Sequence, residues 1–373
     1  MKILIIEPYF TGSHKAWLKS FKKNSSHSIK LITMKGQFWK WRMHGGAITL
    51  AKEFNSINYL PDLIIATDML DLPNFVSLTR KKISGIPIVL YFHENQITYP
   101  WTKEDRDHLK NRDKHYGFIN YASALSADYI LFNSKFHMDS FLIELPKFLK
   151  QFPDYNEIET VETIKSKSHV LYLGMDLSAL NKVKIEKEKN DNPIILWNHR
   201  WEYDKNPELF FSILKTVNSN DIKFSLVIIG ENFSKSPSVF NEAKIIFKEK
   251  IIKWGYVRSK KEYAKWLWKA DIIPVTSNQE FFGASVMEAI YCNTWPILPN
   301  RLTYPELIPQ NLHNSHLYNN KDELTKKLMW ALDNISTVRK RKLRFISQPY
   351  DWKSMAPVYD KTMDKIRKNY KSF

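Results

Sequence analysis

The segment IIPVTSNQEFFGASVMEAIY, residues 272–291, decides the fold, because it contains in succession a buried strand, a polar loop and a helix. The apolar run Ile272–Val275 is typical of a strand covered on both faces of a parallel sheet. Gly283 then precedes a predicted helix, Ala284–Tyr291. Because ligands of open α/β sheets bind beyond the carboxyl ends of the strands, the polar loop is the first place to expect a site.

The same alternation of apolar runs and helix-like segments extends over the rest of the chain. Predicted strands of the first half are Ile3–Ile6, Ile29–Ile32, Leu63–Ala66, Ile86–Tyr91, Tyr129–Phe132 and Val170–Leu173. Predicted helices between them include Lys15–Lys22, Ala47–Phe54 and His137–Leu149, whereas the polar residues 151–168 are predicted to form a surface loop.

After the charged and polar residues 181–192, which have the composition of a linker, the pattern starts again. The further predicted strands are Ile194–Trp197, Phe224–Ile229, Ile251–Trp254 and Trp295–Leu298. The further predicted helices are Pro207–Val217, which opens on a proline, Glu262–Lys269, Asp322–Ile335 and the basic Trp352–Tyr370.

This doubled alternation predicts an α/β protein with two Rossmann-like, doubly wound domains facing across a cleft. We expect a first domain over residues 1–180 and a second domain over residues 193–345, followed by a C-terminal segment, 346–373. With 43% hydrophobic and 14% aromatic residues, the 373-residue chain is able to fill two cores.

The composition also bounds the environment of the protein. A single cysteine, Cys292, excludes an internal disulfide and a multi-cysteine zinc site, and it fits a reducing cytosol. The amino-terminal apolar run ends at Glu7, which is too short for a signal peptide, and no apolar run reaches the roughly 20 residues that span a bilayer. We therefore expect a soluble, cytoplasmic protein without stable membrane insertion.

The charge of the chain predicts a polyanionic partner. The net charge is +17, from 56 basic and 39 acidic residues. Most of this excess lies in the second half of the chain, and residues 339–371 are its most basic stretch. Such a field attracts nucleic acid, an anionic membrane or phosphorylated ligands. A lysine-rich sequence also arises from genome composition, so the charge alone leaves the partner open.

The strongest candidate site is the loop and helix start that contain Glu280 and Glu288. Gly283 and Ala284 fall at the amino end of the predicted helix, where N–H groups and the helix dipole hold a phosphate. Glu288, on the second helical turn, suits ribose hydroxyls, and Glu280 suits a sugar. Without this context, the two carboxylates would be ordinary surface residues of an amphipathic helix.

A second candidate is the turn WNHRWEYDKNP, residues 197–207, which follows a strand and precedes a helix. Arg200 and Lys205 put two cations where they can neutralise a leaving diphosphate, Arg with bidentate geometry and Lys as a compact charge. The alternative is a solvated basic turn.

Three further clusters follow strands of the first half. The run His93, Glu94, Asn95 and Gln96 offers hydrogen-bonding groups for sugar hydroxyls or a base edge. The loop TGSHK, residues 11–15, brings Gly12, Ser13 and His14 to a donor phosphate or to the acceptor, although it is not a dinucleotide fingerprint. Further acceptor contacts are Tyr116 and Asn120, whereas Asn133 and Ser134 are predicted to cap the next helix.

The sequence lacks a Walker loop and an H-E-x-x-H motif. We therefore predict no metal site and no cofactor.

These clusters together resemble the family-4 retaining glycosyltransferases and, more narrowly, the tRNA-queuosine α-mannosyltransferases, which are related to the vertebrate glycosyltransferase-like domain-containing 1. The resemblance covers nearly the whole chain. Its motifs are Thr11-Gly-Ser-His-Lys, Tyr91-Phe-His-Glu-Asn-Gln, Phe132-Asn-Ser, Trp197-Asn-His-Arg-Trp-Glu-Tyr-Asp-Lys-Asn-Pro-Glu and Glu280-Phe-Phe-Gly.

The resemblance implies a GT-B fold, retention at the anomeric carbon, GDP-mannose as donor and the cyclopentenediol of queuosine in the tRNA anticodon as acceptor. It implies that residues 1–180 form the N-terminal, acceptor-side domain and that residues 193–345 form the nucleotide-sugar-binding domain. It also implies that residues 346–373 form a helix that crosses back to the first domain. The implied catalytic residues are His93 and Glu280. The implied donor-binding residues are Gly12, Ser13, Arg200, Lys205, Phe282, Gly283, Ala284 and Glu288, and the implied acceptor-binding residues are His14, Glu94, Asn95, Gln96 and Tyr116.

The chain departs from the family pattern at three positions. Asn198 and Asn293 stand where the family leads us to expect Pro and Gly, and Thr11 replaces a Gly. Two other functions remain open on the sequence alone. One is a glycosyltransferase that acts on a lipid or polysaccharide at a membrane surface, and the other is a non-catalytic RNA-binding module.

Overall fold

The computed structural model describes residues 1–102, 104–110, 112–185, 192–232 and 236–370. The chain folds into two compact units. The first unit is Met1–Met175 together with Trp352–Phe373, and the second unit is Asp176–Asp351. Of the predicted linker, residues 186–191 lie outside the described part of the chain, as does residue 371 of the basic C-terminal stretch.

The first unit contains a parallel sheet of six strands in the order β2-β1-β3-β4-β5-β6. Ile5 of the first strand pairs with Leu31 on one side and with Ile65 on the other. The strands are β1 (Lys2–Phe10), β2 (Ser28–Lys35), β3 (Leu63–Thr67), β4 (Ile88–Phe92), β5 (Tyr129–Phe132) and β6 (Ser168–Val170).

The second unit contains another six-stranded parallel sheet, in the order β12-β11-β10-β7-β8-β9. Its strands are β7 (Ile194–Trp197), β8 (Ser225–Ile228), β9 (Ile251–Trp254), β10 (Ile272–Pro274), β11 (Trp295–Pro299) and β12 (Leu317–Tyr318). The two sheets confirm the prediction of a doubly wound α/β fold that occurs twice.

Helices separate the strands. In the first unit they are α1 (Gly12–Asn24), α2 (Trp39–Ser56), α3 (Leu72–Ile83), α4 (Arg106–Leu109), α5 (Lys114–Ser126), α6 (Lys135–Leu149) and α7 (Thr160–Ser166). In the second unit they are α8 (Pro207–Asn218), α9 (Val239–Ile246), α10 (Lys260–Lys269), α11 (Ala284–Tyr291), α12 (Tyr304–Leu307), α13 (His313–His316), α14 (Lys321–Asp333), α15 (Ile335–Lys340) and α16 (Arg344–Ser347).

The last helix, α17 (Trp352–Asn369), belongs to the first unit. The described residues also include five 3₁₀ helices: Ser178–Val183, Tyr203–Lys205, Lys248–Lys250, Gln310–Leu312 and Gln348–Tyr350.

Local signals in the sequence explain where several helices begin. Ser134 caps α6 by accepting the N–H of His137 at 3.0 Å, as the sequence predicts. Asn206 caps α8 by accepting the N–H of Leu209 at 3.2 Å, and Pro207 opens that helix, as predicted.

The strand orders fix where each sheet is able to bind a ligand. In the first sheet β2 and β3 lie on opposite sides of β1, and in the second sheet β8 and β10 lie on opposite sides of β7. The loops that follow the two central strands therefore diverge and leave a crevice at the carboxyl edge. The predicted site residues of the first unit follow β1 and β4, apart from those in α5, and the predicted site residues of the second unit follow β7 and β10.

The structure corrects several predicted elements. Residues 151–168 are not only a loop, because α7 forms within them and buries Val161 and Ile164. The predicted strand Val170–Leu173 overlaps β6 by one residue, since the apolar burial continues past the paired strand to Leu171 and Leu173. The predicted helix Asp322–Ile335 ends at Asp333, and a separate helix, α15, begins at Ile335.

Two of the departures from the family pattern have a structural explanation. Asn293 adopts a left-handed conformation with φ 59°, which Asn tolerates better than most residues, and its Oδ1 accepts the N–H groups of Leu343 and Arg344 at 2.9 and 3.1 Å. Asn198 donates to the carbonyl of Ser285 at 2.8 Å and so attaches the turn after β7 to the start of α11.

The C-terminal helix is fastened to the first unit by the buried hydroxyl of Tyr359. This hydroxyl accepts the indole N–H of Trp17 at 3.1 Å, lies 3.0 Å from the hydroxyl of Tyr91 and donates to the carbonyl of Tyr172 at 2.9 Å. Trp352, at the start of α17, stacks on Phe21 at a centroid distance of 5.6 Å. Helix α17 therefore completes the core beside α1.

We expect Tyr359→Phe to lower the stability of the protein. The substitution removes the hydrogen bonds of the hydroxyl and leaves the buried N–H of Trp17 without its acceptor, which costs about 1–3 kcal/mol. A lower midpoint of thermal unfolding, followed by circular dichroism, measures the loss. Tyr256→Phe is the control, because that ring is 56% exposed, and equal midpoints for both variants would contradict the assignment.

Candidate active site

In the second unit, the turn after β7 and the loop after β10 meet at the point where the sheet order reverses. Residue 230, which follows β8, must be a glycine, because its φ is +146° and a Cβ there would overlap the carbonyl oxygen of His199. The Oγ1 of Thr276 donates to the carbonyls of Lys205 and Asn206 at 2.8 and 2.9 Å. These contacts fix the turn against the loop.

A buried ion cluster lies where the turn and the loop meet. The ammonium nitrogen of Lys205 lies 3.0 Å from Asp204 Oδ2 and 3.3 Å from Glu280 Oε2, and it donates to the carbonyl of Gln279 at 2.9 Å. Burial opposes the charge of Lys205, but the carboxylates of Glu280 and Asp204 outweigh it and raise the pKa of the amine. Burial likewise opposes the charge of Glu280, and Lys205 outweighs it and lowers the pKa of that carboxyl.

Arg200 lies at the exposed edge of this cluster. Its guanidinium nitrogens are 3.1 Å from Glu202 Oε2 and 3.9 Å from Asp204 Oδ2, and 44% of its side chain is exposed. The structure thus brings together both cations that the sequence predicts, and it adds Asp204 as the carboxylate that both approach.

The start of α11 differs in one respect from the prediction. Gly283 is the N-cap residue with φ 85°, and Ala284 is the first helical residue, as predicted. However, the N–H groups before the helix are not open, because Glu280 Oε1 lies 3.4 Å from the N–H of Phe282 and also interacts with that of Gly283. The ring of Phe282 is buried against Tyr350, so Phe282 offers only its backbone to a ligand.

Glu288 lies on the second turn of α11, where the sequence places it, and accepts the hydroxyl of Tyr263 at 2.7 Å. Asn198 donates to the oxygen of Tyr263 at 3.2 Å, so the three side chains form a chain of hydrogen bonds. Burial raises the pKa of Glu288 from 4.5 to about 7, although the bond from Tyr263 opposes the shift.

His199 is a site residue that the sequence prediction missed. Its Nδ1 lies 3.0 Å from the hydroxyl of Ser285, and its buried Nε2 has no hydrogen-bond partner among the described residues. Burial, together with the charge of Lys205, lowers the pKa of His199 to about 4, so the ring is neutral at pH 7. The imidazole therefore offers a neutral polar atom next to the ion cluster.

In the first unit, two histidines form the centre of the other candidate site. His14 lies in α1, and its Nδ1 is 2.8 Å from Glu7 Oε2 at the carboxyl end of β1. The rings of His14 and His93 lie 4.3 Å apart between centroids. Burial opposes the charge of His14, but Glu7 outweighs it and raises the pKa to about 9, so His14 is a cation at pH 7.

Asp68, which follows β3, fixes the backbone of His93. Its Oδ1 accepts the N–H of His93 at 2.8 Å. Burial raises the pKa of Asp68 to about 8, although the positive charge of His14 opposes the shift. Burial and the same charge of His14 lower the pKa of His93 well below 6.5. His93 is therefore a neutral ring, and no described residue bonds to its buried Nε2.

The run after β4 is mostly buried, and only Glu94 is partly exposed. Asn95 is fully buried, and its Oδ1 accepts the N–H groups of Ile97 and Thr98 at 3.1 and 2.9 Å. The structure thus gives Asn95 a structural role in place of the predicted acceptor contact, because its buried side chain holds its own loop together. Gln96 donates to Glu94 Oε1 at 3.1 Å, so these two predicted acceptor residues lie together.

The remaining predicted residues of this unit lie in two places. Gly12 adopts φ +49° with open space where a Cβ would stand, and Ser13 beside it is exposed. Tyr116 lies in an aromatic cluster with Trp39, in the apolar group that also contains Tyr9 beside His14, and its hydroxyl donates to Asp107 at 3.0 Å. Tyr116 is only 7% exposed, so the structure gives it a packing role.

Asn120 is also a packing residue, because its amide is held within the fold. It accepts the N–H of Gln96 at 2.7 Å and donates to the carbonyl of Asp68 at 2.8 Å.

Glu7, Asp68 and His199 are the main residues that the sequence prediction did not include. Glu7 and Asp68 each follow an apolar strand segment and are almost fully buried. A carboxylate at the end of a buried strand is a usable signal, because an unpaired charge there is costly and needs a partner. His199 is next to the predicted Arg200 in the sequence, but no sequence pattern marks it as a site residue. Only its buried, unpartnered Nε2 in the structure does so.

Comparison with known proteins identifies both halves of the chain. Residues 2–175 match the family described as tRNA-queuosine alpha-mannosyltransferase N-terminal, and residues 180–350 match the glycosyl transferases group 1. A Drosophila melanogaster protein named tRNA-queuosine alpha-mannosyltransferase is 33% identical over 334 residues, which are 87% of this chain and 85% of that protein.

Solved structures are similar in fold. Sucrose-phosphate synthase from Thermosynechococcus elongatus has a TM-score of 0.73 at 13% identity, covering 99% of this chain and 100% of that one. The Anabaena protein HepE in complex with UDP has a TM-score of 0.68 at 13% identity, covering 98% and 100%. A glycosyltransferase from Rickettsia africae has a TM-score of 0.67 at 17% identity, covering 99% of each chain.

Two doubly wound units, together with the match to the glycosyl transferases group 1, define the GT-B class of glycosyltransferases. The chain belongs to the tRNA-queuosine alpha-mannosyltransferase family. The enzyme class and the family that the sequence motifs predict are thus confirmed.

Neither a membrane-crossing helix nor a metal-binding cluster occurs among the described residues. None of their helices combines the length and the apolar character that a membrane crossing requires. Within the same residues, there is no group of three or more His, Cys, Asp or Glu side chains arranged to hold a metal ion.

We expect Glu288→Gln to stabilise the protein at pH 8 but not at pH 4. Between about 4.5 and 7 the folded protein retains a proton on Glu288 that the unfolded chain releases, so stability falls as the pH rises. Glutamine carries no such cost and still accepts from Tyr263. The gain, on the order of 2 kcal/mol at pH 8, is measured from unfolding midpoints. The exposed Glu249→Gln is the control, and a pH-independent difference would disprove the shift.

Proposed function

We propose that the protein is a retaining glycosyltransferase that moves mannose from GDP-mannose to the cyclopentenediol of queuosine in a tRNA anticodon. The observation that carries the proposal is the arrangement in the second unit, where Arg200 and Lys205 lie beside the glycine-led start of α11. The choice of sugar and acceptor is supported by the Drosophila relative, whose name specifies both.

The proposed donor site uses the groups of the second unit. Arg200 and Lys205 neutralise the diphosphate, and the N–H groups at Gly283 and Ala284 bind one of its phosphates. For this, the carboxylate of Glu280 leaves the N–H groups that it now approaches and turns to the sugar hydroxyls. The ribose hydroxyls donate to Glu288, next to Tyr263.

The proposed reaction is a front-face displacement. The bond between the anomeric carbon of mannose and the diphosphate oxygen breaks, and a bond to the acceptor hydroxyl oxygen forms on the same face. The acceptor proton passes to the departing diphosphate, so no protein nucleophile is required. Arg200 and Lys205 stabilise the charge that develops on the diphosphate, and we propose that two fixed cations make a metal ion and any other cofactor unnecessary.

The proposed acceptor site uses the first unit. The neutral His93 orients the sugar or the acceptor through its Nε2, while the cationic His14 holds the ring beside it. Glu94 and Gln96 bind acceptor hydroxyls, and Gly12 and Ser13 approach the donor phosphate through the open space at residue 12.

We further propose that tRNA binds through the excess positive charge of the chain, and that the enzyme works in the cytoplasm, where tRNA is available. The net charge is +17, and helix α17 carries basic residues in its last turn. Phosphate contacts of this kind position an RNA, while pocket contacts select the modified base.

Incubation of queuosine-containing tRNA with the protein and GDP-mannose tests the whole proposal. We expect the queuosine nucleoside to gain the mass of one hexose, as measured by mass spectrometry of the digested tRNA. UDP-glucose in place of GDP-mannose is the donor control, and addition of EDTA tests the metal-free mechanism. Absence of the gain, together with transfer to a lipid or polysaccharide, would refute the acceptor.

Arg200→Ala tests the charge on the leaving group, because this side chain is partly exposed and its loss leaves the fold intact. Removing one preorganised electrostatic contact of this kind lowers kcat by about 100- to 1000-fold. The matched control is Arg258→Ala, another exposed arginine of the second unit, for which we expect wild-type kcat at saturating tRNA. Equal kcat values for the two variants would remove Arg200 from the mechanism.

A further inference from the structure

Two aromatic rings at the start of α2 are exposed to water. Phe38 is 76% exposed and Trp41 is 63% exposed, although both belong to the unit that contains the proposed acceptor site. Burial of such rings is a main source of stability, so their exposure contributes little to folding. Phe38 and Trp41 are three positions apart at the start of α2, and exposed aromatic side chains of this kind mark a binding surface.

The backbone at Phe38 supports a role other than folding. This residue is the N-cap of α2 and adopts a left-handed conformation with φ 52° and ψ 55°. For a bulky side chain this conformation is unfavourable, and it persists only where the surrounding structure enforces it. The exposed ring of Phe38 is therefore attached to an energetically unfavourable backbone conformation.

Trp41 is held against its own helix by a glycine. Three atoms of its six-membered ring come within 2.7 to 3.2 Å of the position that a Cβ on Gly45 would take. Glycine inside a helix is unfavourable relative to alanine, so Gly45 weakens α2. Because Gly45 has no side chain, the indole of Trp41 packs directly against the helix there, while much of the ring stays exposed.

Cations flank the two rings. Lys35 is exposed, and the Nε–H of Arg42 donates to the carbonyl of Lys35 at 3.1 Å. Lys40 is less available, because it lies 2.7 and 2.5 Å from carboxylate oxygens of Asp105 and Asp107. Lys35 and Arg42 therefore give the rings a positively charged border.

This surface adjoins the proposed acceptor site. A Cβ on Gly36, just before α2, would overlap the side chain of Thr11, which immediately precedes Gly12 and Ser13. On the other side, Trp39 lies in the same apolar cluster as Tyr9, whose ring is 6.3 Å from that of His14. The start of α2 and the loop after β1 thus lie at the same edge of the sheet.

We propose that Phe38 and Trp41, with Lys35 and Arg42, form a stacking surface for unpaired bases of the acceptor RNA next to the modified nucleotide. The proposal rests on the proposed function and adds to it the residues that hold the RNA. Aromatic faces with neighbouring cations are the usual means of binding single-stranded RNA, because rings stack on bases and cations contact phosphates.

The geometry favours RNA over a membrane surface. Side chains that anchor a protein to a bilayer reach about 5–10 Å into the boundary between headgroups and acyl chains. The ring of Trp41 instead lies on its own helix at Gly45, where it presents surface for stacking and does not project outward.

Three variants of the full-length protein test the surface by binding of queuosine-containing tRNA. Trp41→Ala removes the ring. Gly45→Ala keeps the tryptophan but puts a methyl group at the position that its ring occupies. Alanine also has a higher helix propensity than glycine, so the substitution favours α2. Tyr155→Ala is the control, because that ring is 89% exposed in the loop between α6 and α7.

We expect Trp41→Ala to raise the Kd for tRNA, and the KM for tRNA in mannosyl transfer, by about 5- to 100-fold, the usual effect of one lost stack. Gly45→Ala should raise the Kd and the KM for tRNA without lowering the unfolding midpoint. If Trp41 only stabilised the fold, the unfolding midpoint would change and the affinity for tRNA would not. Tyr155→Ala should leave the Kd and the KM unchanged. At saturating tRNA, kcat should stay at the wild-type value in all three, since the catalytic side chains are untouched.

The outcomes separate this inference from the proposed function. Transfer to tRNA with equal Kd and KM in wild type, Trp41→Ala and Gly45→Ala would overturn the stacking surface alone. Absence of transfer by the wild type would instead overturn the proposed function. Binding of the wild type to phosphatidylserine vesicles that is lost in Trp41→Ala, with unchanged tRNA affinity, would assign the surface to a membrane and overturn the inference.

Discussion

The burial of a lysine between two carboxylates is the interaction on which the second unit's site depends. Lys205 is buried, and an ammonium in that position is stable only if anions surround it, which Asp204 and Glu280 provide. Asp204 and Lys205 come from the turn after β7 and Glu280 from the loop after β10, so the ion cluster joins two segments that are distant in sequence. The order of the strands makes this possible, because β7 and β10 are neighbours.

The first unit applies the same rule with a different cation. Glu7 is fully buried at the end of β1, and it holds a proton on His14, which in turn disfavours a proton on His93. Two adjacent imidazoles thus have different charge states at pH 7, because Glu7 keeps His14 protonated, whereas burial and the charge of His14 keep His93 neutral. In both units a buried charged pair lies beside a neutral histidine, whose buried Nε2 has no partner among the described residues.

Periodicity and strand-end position in the sequence were sufficient to predict the two sheets and the places of Glu280, Glu288, Arg200 and Lys205, because these depend on local order along the chain. Hydrogen-bond partners were not predictable in the same way. Asn95 lies in a polar run, yet it folds back on the N–H groups of its own loop. Glu7 pairs with a histidine one helical turn into α1, and Asp68 acts on a residue of the next strand's loop. Such partners depend on how loops pack, which a linear pattern does not record.

The position of α17 has a consequence for synthesis of the chain. The first unit is made of two separate stretches, and the hydroxyl of Tyr359 from the second stretch bonds to Trp17 and Tyr91 of the first. On a ribosome, residues 1–175 emerge long before residues 352–369, with the entire second unit between them. The indole of Trp17 thus has no acceptor until the last helix is released, so the unit whose synthesis starts first is completed last.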